Sequence, residues 1–74
     1  MESIWDPARF IEARNARELN TKDAAERLDI SPEYLSMIEN NKKQPGPKLI
    51  VKMGELYGRP AAFFLRAEQQ MSSA

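Results

Sequence analysis

Two helix starts and two helix stops crowd into the stretch from Asn20 to Asn41, NTKDAAERLDISPEYLSMIENN. Asn20 is a good N-cap, and Asp23 stands at capping-box spacing from it. Ser31 and Pro32 form the second start, a capping hydroxyl followed by a proline at the first helical position, where its missing N–H costs nothing. Asp29-Ile30 is the turn between the helices, with Ile30 expected to be buried beneath it. Asn41 is expected to end the second helix in the left-handed region, which asparagine tolerates better than most residues. Ala24, Ala25 and Leu28 make one inward stripe, and small alanines permit close helix approach. Leu35 and Ile38, at i, i+3, make the other, which turns Glu33, Ser36, Met37 and Asn40 outward. Two short helices set at an angle can present the second of them to a groove as wide as the DNA major groove.

The flanking segments supply a scaffold. Asp6 caps a first helix that starts at Pro7, with Trp5 and Phe10 placed to form a hydrophobic staple. Pro47 starts a helix that buries Leu49, Ile50, Met53 and Leu56 and stops at Gly58. Pro60 starts a last one carrying Phe63, Phe64 and Leu65. The expected fold is all-α: one compact five-helix domain over residues 1–74, with helices at about 7–17, 21–28, 32–40, 47–57 and 60–70.

Composition excludes several functions. With no cysteine and no histidine, a disulfide scaffold and the usual zinc sites are out. No apolar run approaches a membrane span, and MESIWDPARF is not a signal peptide, so a cytoplasmic location without membrane association is expected. There is no Gly-rich phosphate loop and no separated carboxylate pair at an obvious pocket, so neither catalysis nor a cofactor or metal is expected. Charge is balanced, with eleven basic against eleven acidic residues, but unevenly placed. Asn40 to Lys52 holds Lys42, Lys43, Lys48 and Lys52 and no acid, while Asp23 to Glu39 holds five acids and one arginine.

Over Phe10 to Leu65 the chain resembles the Cro/C1-type (Xre-like) helix-turn-helix family of phage and bacterial repressors. The third helix, SPEYLSMIE from Ser31 to Glu39, carries the likeness, together with the ending Glu39-Asn40-Asn41-Lys42-Lys43-Gln44-Pro45, Ala25 in the second helix, and Leu56 and Gly58 late in the fourth. Arg14 and Glu39 match the family's arginine–glutamate pair, which implies a structural ion pair that orients the recognition helix. Departures are Asn20 for the capping threonine or serine, Ala24 for a leucine, Asn41 for a glycine, Pro32-Glu33 for polar or basic residues, and Arg59 for a buried valine. The resemblance implies a lambda-repressor-like fold and a sequence-specific double-stranded DNA-binding regulator, most simply a repressor acting as a homodimer on a palindromic operator.

On that reading, Pro32, Glu33, Ser36 and Met37 are the base-contact candidates. Glu33 can accept from cytosine N4 and Met37 can touch a thymine methyl. The plainer alternative is that Pro32 and Glu33 are only a helix starter and a first-turn acid. Thr21, Tyr34, Asn40, Lys42, Lys43 and Lys48 are the phosphate candidates, against a role in solubility for the lysines. Tyr34 can equally shelve against the first helix. Phe63, Phe64 and Leu65 span most of a helix circumference, so at least one is expected to face outward and serve as a dimer contact. The competing function, motivated by the neutral charge, is a protein-interaction module or antitoxin-type protein that uses the same fold to bind a protein partner.

Overall fold

The computed structural model describes residues 4–66. Four α-helices follow in order: α1, Pro7–Ala16; α2, Thr21–Leu28; α3, Pro32–Glu39; and α4, Pro47–Tyr57. A short 3-10 helix, Ala61–Phe64, is the last element among the described residues.

Each start is made by the residue the sequence marks for it. The Asp6 carboxylate accepts from Ala8 N at 3.1 Å, Asn20 Oδ1 from Asp23 N at 2.7 Å, and Ser31 Oγ from Tyr34 N at 3.1 Å. Proline opens α1, α3 and α4.

The stops share one geometry. A residue at positive φ follows each α-helix: Glu18 (59°), Asp29 (62°), Asn41 (63°) and Gly58 (71°). Beyond each, the next backbone N–H reaches back to the carbonyl six residues earlier counting both ends, as in a Schellman motif. Leu19 bonds Arg14 at 3.2 Å, Ile30 bonds Ala25 at 3.0 Å, Lys42 bonds Met37 at 2.8 Å and Arg59 bonds Gly54 at 3.0 Å. Last-turn carbonyls are thereby satisfied without lengthening the helices, which is how the connections stay tight.

The core joins all five elements. Phe10 and Ala13 of α1, Ala24, Ala25 and Leu28 of α2, Leu35 and Ile38 of α3, Leu49, Ile50, Met53 and Tyr57 of α4, and Phe64 are buried together. Phe64 stacks on Phe10 at 5.0 Å between ring centroids and meets the edge of Tyr57 at 6.4 Å. Each such large side chain contributes about 1.5–3 kcal/mol on leaving water. Ile30 and Leu56, expected inside, are only half-buried, whereas Tyr57, the next residue round, takes the buried place.

The fifth helix is a correction. A 3-10 turn over Ala61–Phe64 replaces the start of the expected helix 60–70, Leu65 is extended (φ −73°, ψ 149°), and residues 67–70 lie outside the described residues. The cause is competition for backbone groups. Asp6 N donates to Phe64 O at 2.7 Å and Arg66 N to Ile4 O at 2.9 Å, with an isolated antiparallel bridge between Trp5 and Leu65. Those bonds tie the two chain ends together and take the donors and acceptors a continuing helix needs. Phe64 then fills the core while Phe63 turns aside.

Candidate nucleic-acid interface

α3 packs on α2 and α1 through one face only. Leu35 and Ile38 are sealed, whereas Pro32, Glu33, Ser36, Met37 and Asn40 are all exposed. The four base-contact candidates therefore share the outward surface of a helix capped at its start and anchored behind. Met37 is 41% exposed, a large apolar side chain left in solvent on this face.

The anchor is the Arg14–Glu39 pair. Arg14 Nε lies 2.8 Å from Glu39 Oε2 and Nη2 lies 3.1 Å from Oε1, a two-pronged fit of planar guanidinium to carboxylate. The third nitrogen, Nη1, donates to Leu19 O at 2.8 Å in the α1–α2 connection. The side chains retain 12% and 7% of their exposure. One arginine thus ties α1, the entry to α2 and the end of α3 into one unit.

Beside the pair lies Tyr57, which the sequence reading passed over. Its hydroxyl is buried and makes no hydrogen bond among the described residues. Burial pushes the phenol pKa up to about 12, with the Glu39 charge adding to the rise and Arg14 opposing it. A signal was available: Ile50, Met53 and Tyr57 follow i, i+3, i+7 along one face of α4.

The phosphate candidates spread around this helix. Thr21, half-buried, opens α2, where backbone N–H groups point out of the helix. Lys42 and Lys43, both exposed, follow α3 immediately, and their backbone N–H groups are held by Met37 O at 2.8 and 3.3 Å. Lys48 is exposed in the first turn of α4. Tyr34 is half-buried and packed against the core, which favours the shelving reading for its ring. Asn40 is turned inward on its own helix: Nδ2 donates to Ser36 O at 2.8 Å and approaches Ser36 Oγ at 3.3 Å. One amide N–H is engaged on Ser36 O, and the second, near Ser36 Oγ, is the donor Asn40 keeps for a phosphate. Lys52, the fourth lysine of the basic run, donates to Leu28 O at 3.3 Å and closes the end of α2.

The expected dimer contacts lie in and just after the 3-10 helix, which packs on α1 and α4. Phe64 is 0% exposed and leaves that set, because the monomer's own core consumes it. Phe63 is half-buried beneath two guanidinium groups, Arg9 at 4.9 Å and Arg59 at 4.8 Å from its ring centroid. Leu65 is half-buried in the bridge to Trp5. No member of the triplet is fully exposed, contrary to expectation. Arg9 and Arg59 together roof Phe63.

A family model described as helix-turn-helix matches residues 10–64. No curated protein and no solved structure matches the chain significantly. The matched span begins at Phe10 and ends at Phe64, the two rings stacked in the core, and encloses α2, α3 and the turn between them. The chain belongs to the helix-turn-helix family, whose general role is DNA binding in transcription regulation.

Proposed function

We propose that the protein is a Cro/C1-type, lambda-repressor-like regulator that reads double-stranded DNA with α3. It acts most simply as a repressor, a homodimer occupying a palindromic operator in the cytoplasm, and it performs no catalysis. The observation that carries the reading is the two-sided character of α3: Leu35, Ile38 and the Arg14–Glu39 pair fix its back, and Pro32, Glu33, Ser36 and Met37 are exposed on its front.

Labour divides by position. Lys42, Lys43, Lys48 and the start of α2 at Thr21 bind phosphates and set register, which gives affinity for any duplex. Glu33 takes a cytosine amino group and Met37 a thymine methyl, which gives sequence preference. An eight-residue helix reads few base pairs. Two copies related by a two-fold axis, with recognition helices about 34 Å apart, double the readout. Phe63 and Leu65 are the remaining residues of the proposed seam.

The alternative, a module for binding a protein partner, draws on zero net charge, an acid at Glu33 and the apolar Met37 on the presented face. Selection from random duplexes, with binding measured across salt concentrations, separates the two. Enrichment of a palindrome with binding that tightens steeply as salt falls supports the DNA reading. Absence of any enriched sequence, with no salt-dependent binding at low ionic strength, rejects it in favour of the protein-binding one.

A further inference from the structure

The chain carries four methionines and no cysteine, so its sulfur chemistry is that of the thioether. Met53 is sealed in the core at 0% exposure. Met37 is 41% exposed on the front of α3, beside the base-contact residues Glu33 and Ser36, and does not belong to the side chains packed on the core. Met1 and Met71 lie outside the described residues. The fold holds Met37 by its backbone: its carbonyl accepts from Lys42 N at 2.8 Å and Lys43 N at 3.3 Å, which closes α3. Its thioether stands in solvent, where an oxidant reaches it, and oxidation turns such a flexible apolar side chain into a polar, chiral one.

We infer that Met37 is an oxidation site, and that a peroxide, by converting its thioether to the sulfoxide, switches off the DNA-reading face of α3 without unfolding the domain. The inference rests on the DNA-reading function proposed above. In the reaction the sulfur lone pair attacks one oxygen of hydrogen peroxide. An S–O bond forms as the O–O bond breaks, and the leaving hydroxide takes the proton of the transferred oxygen and departs as water. Sulfur loses two electrons and the peroxide gains them. Methionine sulfoxide reductases, one for each sulfoxide epimer, return the thioether. An apolar tip suited to a thymine methyl thus becomes a hydrogen-bond acceptor. Thymine meets it in the major groove with a methyl and the O4 acceptor, neither of which donates a hydrogen bond. The sulfoxide oxygen then gives up water for no partner on that base, which opposes binding. Met37 has no place in the core, so the same oxygen costs the fold little, whereas at Met53 it would disrupt the packing. The two events oppose each other: duplex that covers Met37 shields its sulfur from peroxide.

The test uses the full chain and the duplex that wild type enriches from random sequences. Limiting hydrogen peroxide followed by peptide mass mapping should place the added oxygen at Met37 before Met53, with Met1 and Met71 followed in the same map. Saturating duplex should slow the Met37 reaction. The oxidised protein should bind the duplex about 5- to 150-fold more weakly per half-site, the range for a buried polar group left unpaired. Its circular dichroism melt should stay close to that of untreated protein, and treatment with the reductases should restore binding. Met37→Leu has no sulfur to oxidise on α3. Measured against its own untreated affinity, it should lose the response to peroxide, which separates Met37 from Met1 and Met71. A wild-type chain that enriches no duplex overturns the DNA reading and this inference with it. Where a duplex is enriched, four results overturn this inference alone: oxidised protein that binds it undiminished, a Met37→Leu response equal to wild type's, oxidation of Met53 that keeps pace with Met37, or a Met37 reaction that saturating duplex does not slow.

Discussion

Arg14→Ala tests how the recognition helix is held. The substitution removes two hydrogen bonds to Glu39 and one to Leu19 O, and leaves a carboxylate with 7% side-chain exposure close to the buried Tyr57 hydroxyl. Breaking a buried pair by deleting one partner costs about 3–5 kcal/mol, because the survivor's charge stays desolvated. Arg14 keeps 12% exposure, a route for some water to reach the carboxylate, so the lower end, about 3 kcal/mol, is the expected loss. For a domain of this size that lowers Tm by about 12–24 °C. It is a large share of a total stability of roughly 4–11 kcal/mol for a chain this long. Thermal melts followed by circular dichroism measure it. The decisive comparison is the double variant Arg14→Met with Glu39→Leu. Removing both charges removes the stranded ion, so most of the loss should return; the Leu19 carbonyl, still deprived of its donor, holds back about 1 kcal/mol. A single variant that melts within a few degrees of wild type refutes the reasoning, as does a double variant whose loss equals the sum of two damaging singles.

Three further outcomes are expected. Tyr57 gives an alkaline signature: its folded pKa is raised to about 12 from an ordinary 10.0, so its contribution is fully present below pH 10 and is lost as pH rises through 12; Tyr57→Phe should flatten that part of the stability-versus-pH curve in chemical denaturation and leave neutral-pH stability unchanged or up to about 1 kcal/mol higher, since a buried unpaired hydroxyl is removed. Glu18, exposed at φ 59°, should yield about 1 kcal/mol of added stability as Glu18→Gly, read as a rise in Tm, whereas Gly58→Ala at φ 71° should lose at least that much, because its new methyl meets the Arg17 guanidinium that donates to Tyr57 O. Lys43→Ala should weaken operator and random duplex alike and reduce the slope of log affinity against log salt by about 1, whereas Glu33→Gln should change base preference at one position.

What was legible in the sequence was punctuation and period. Asp6, Asn20 and Ser31 state where helices begin in a local chemistry of side chain and next turn, and the structure forms all three caps. The inward stripes of α2 and α3 follow from spacing alone. Helix ends were half legible. Asn41, Gly58 and Asp29, which stands in the expected turn, are residue types that tolerate positive φ, but Glu18 adopts it where packing turns the chain, and nothing in a glutamate announces that. The fifth helix failed for the same reason. Ala61 to Leu65 has no local objection to helix, and the deciding bonds come from Ile4 and Asp6 at the other end of the chain. In the site, the exposed front of α3 followed from amphipathic spacing. The Asn40–Ser36 bond spans the familiar i, i+4 interval, but spacing alone does not say which outward side chains bond one another. The Arg9–Phe63–Arg59 stack joins residues distant in sequence and had no local sign.

Neutral net charge and a DNA partner are reconciled by asking which cations have other employment. Arg14, Arg17 and Lys52 donate to carbonyls at the ends of helices or their connections, and Arg9 and Arg59 cover an aromatic ring. Those five charges are tied to the scaffold, three of them where helix dipoles already favour a cation. Lys42, Lys43 and Lys48 are exposed around the end of α3 and the start of α4, in a stretch with no acid from Asn40 to Lys52. Acids are exposed at Glu26 and Asp29 toward the end of α2, and only Asp23 in its first turn and Glu33 on α3 lie along the proposed interface. Beyond about 8–10 Å at physiological salt such charges are largely screened from a phosphate. Affinity for DNA then depends on the few cations that touch phosphates and release counterions, a local count rather than a molecular sum. A chain with pI near 6.2 can therefore bind duplex through one lysine-lined edge while the rest of its surface, balanced or acidic, limits nonspecific adhesion elsewhere.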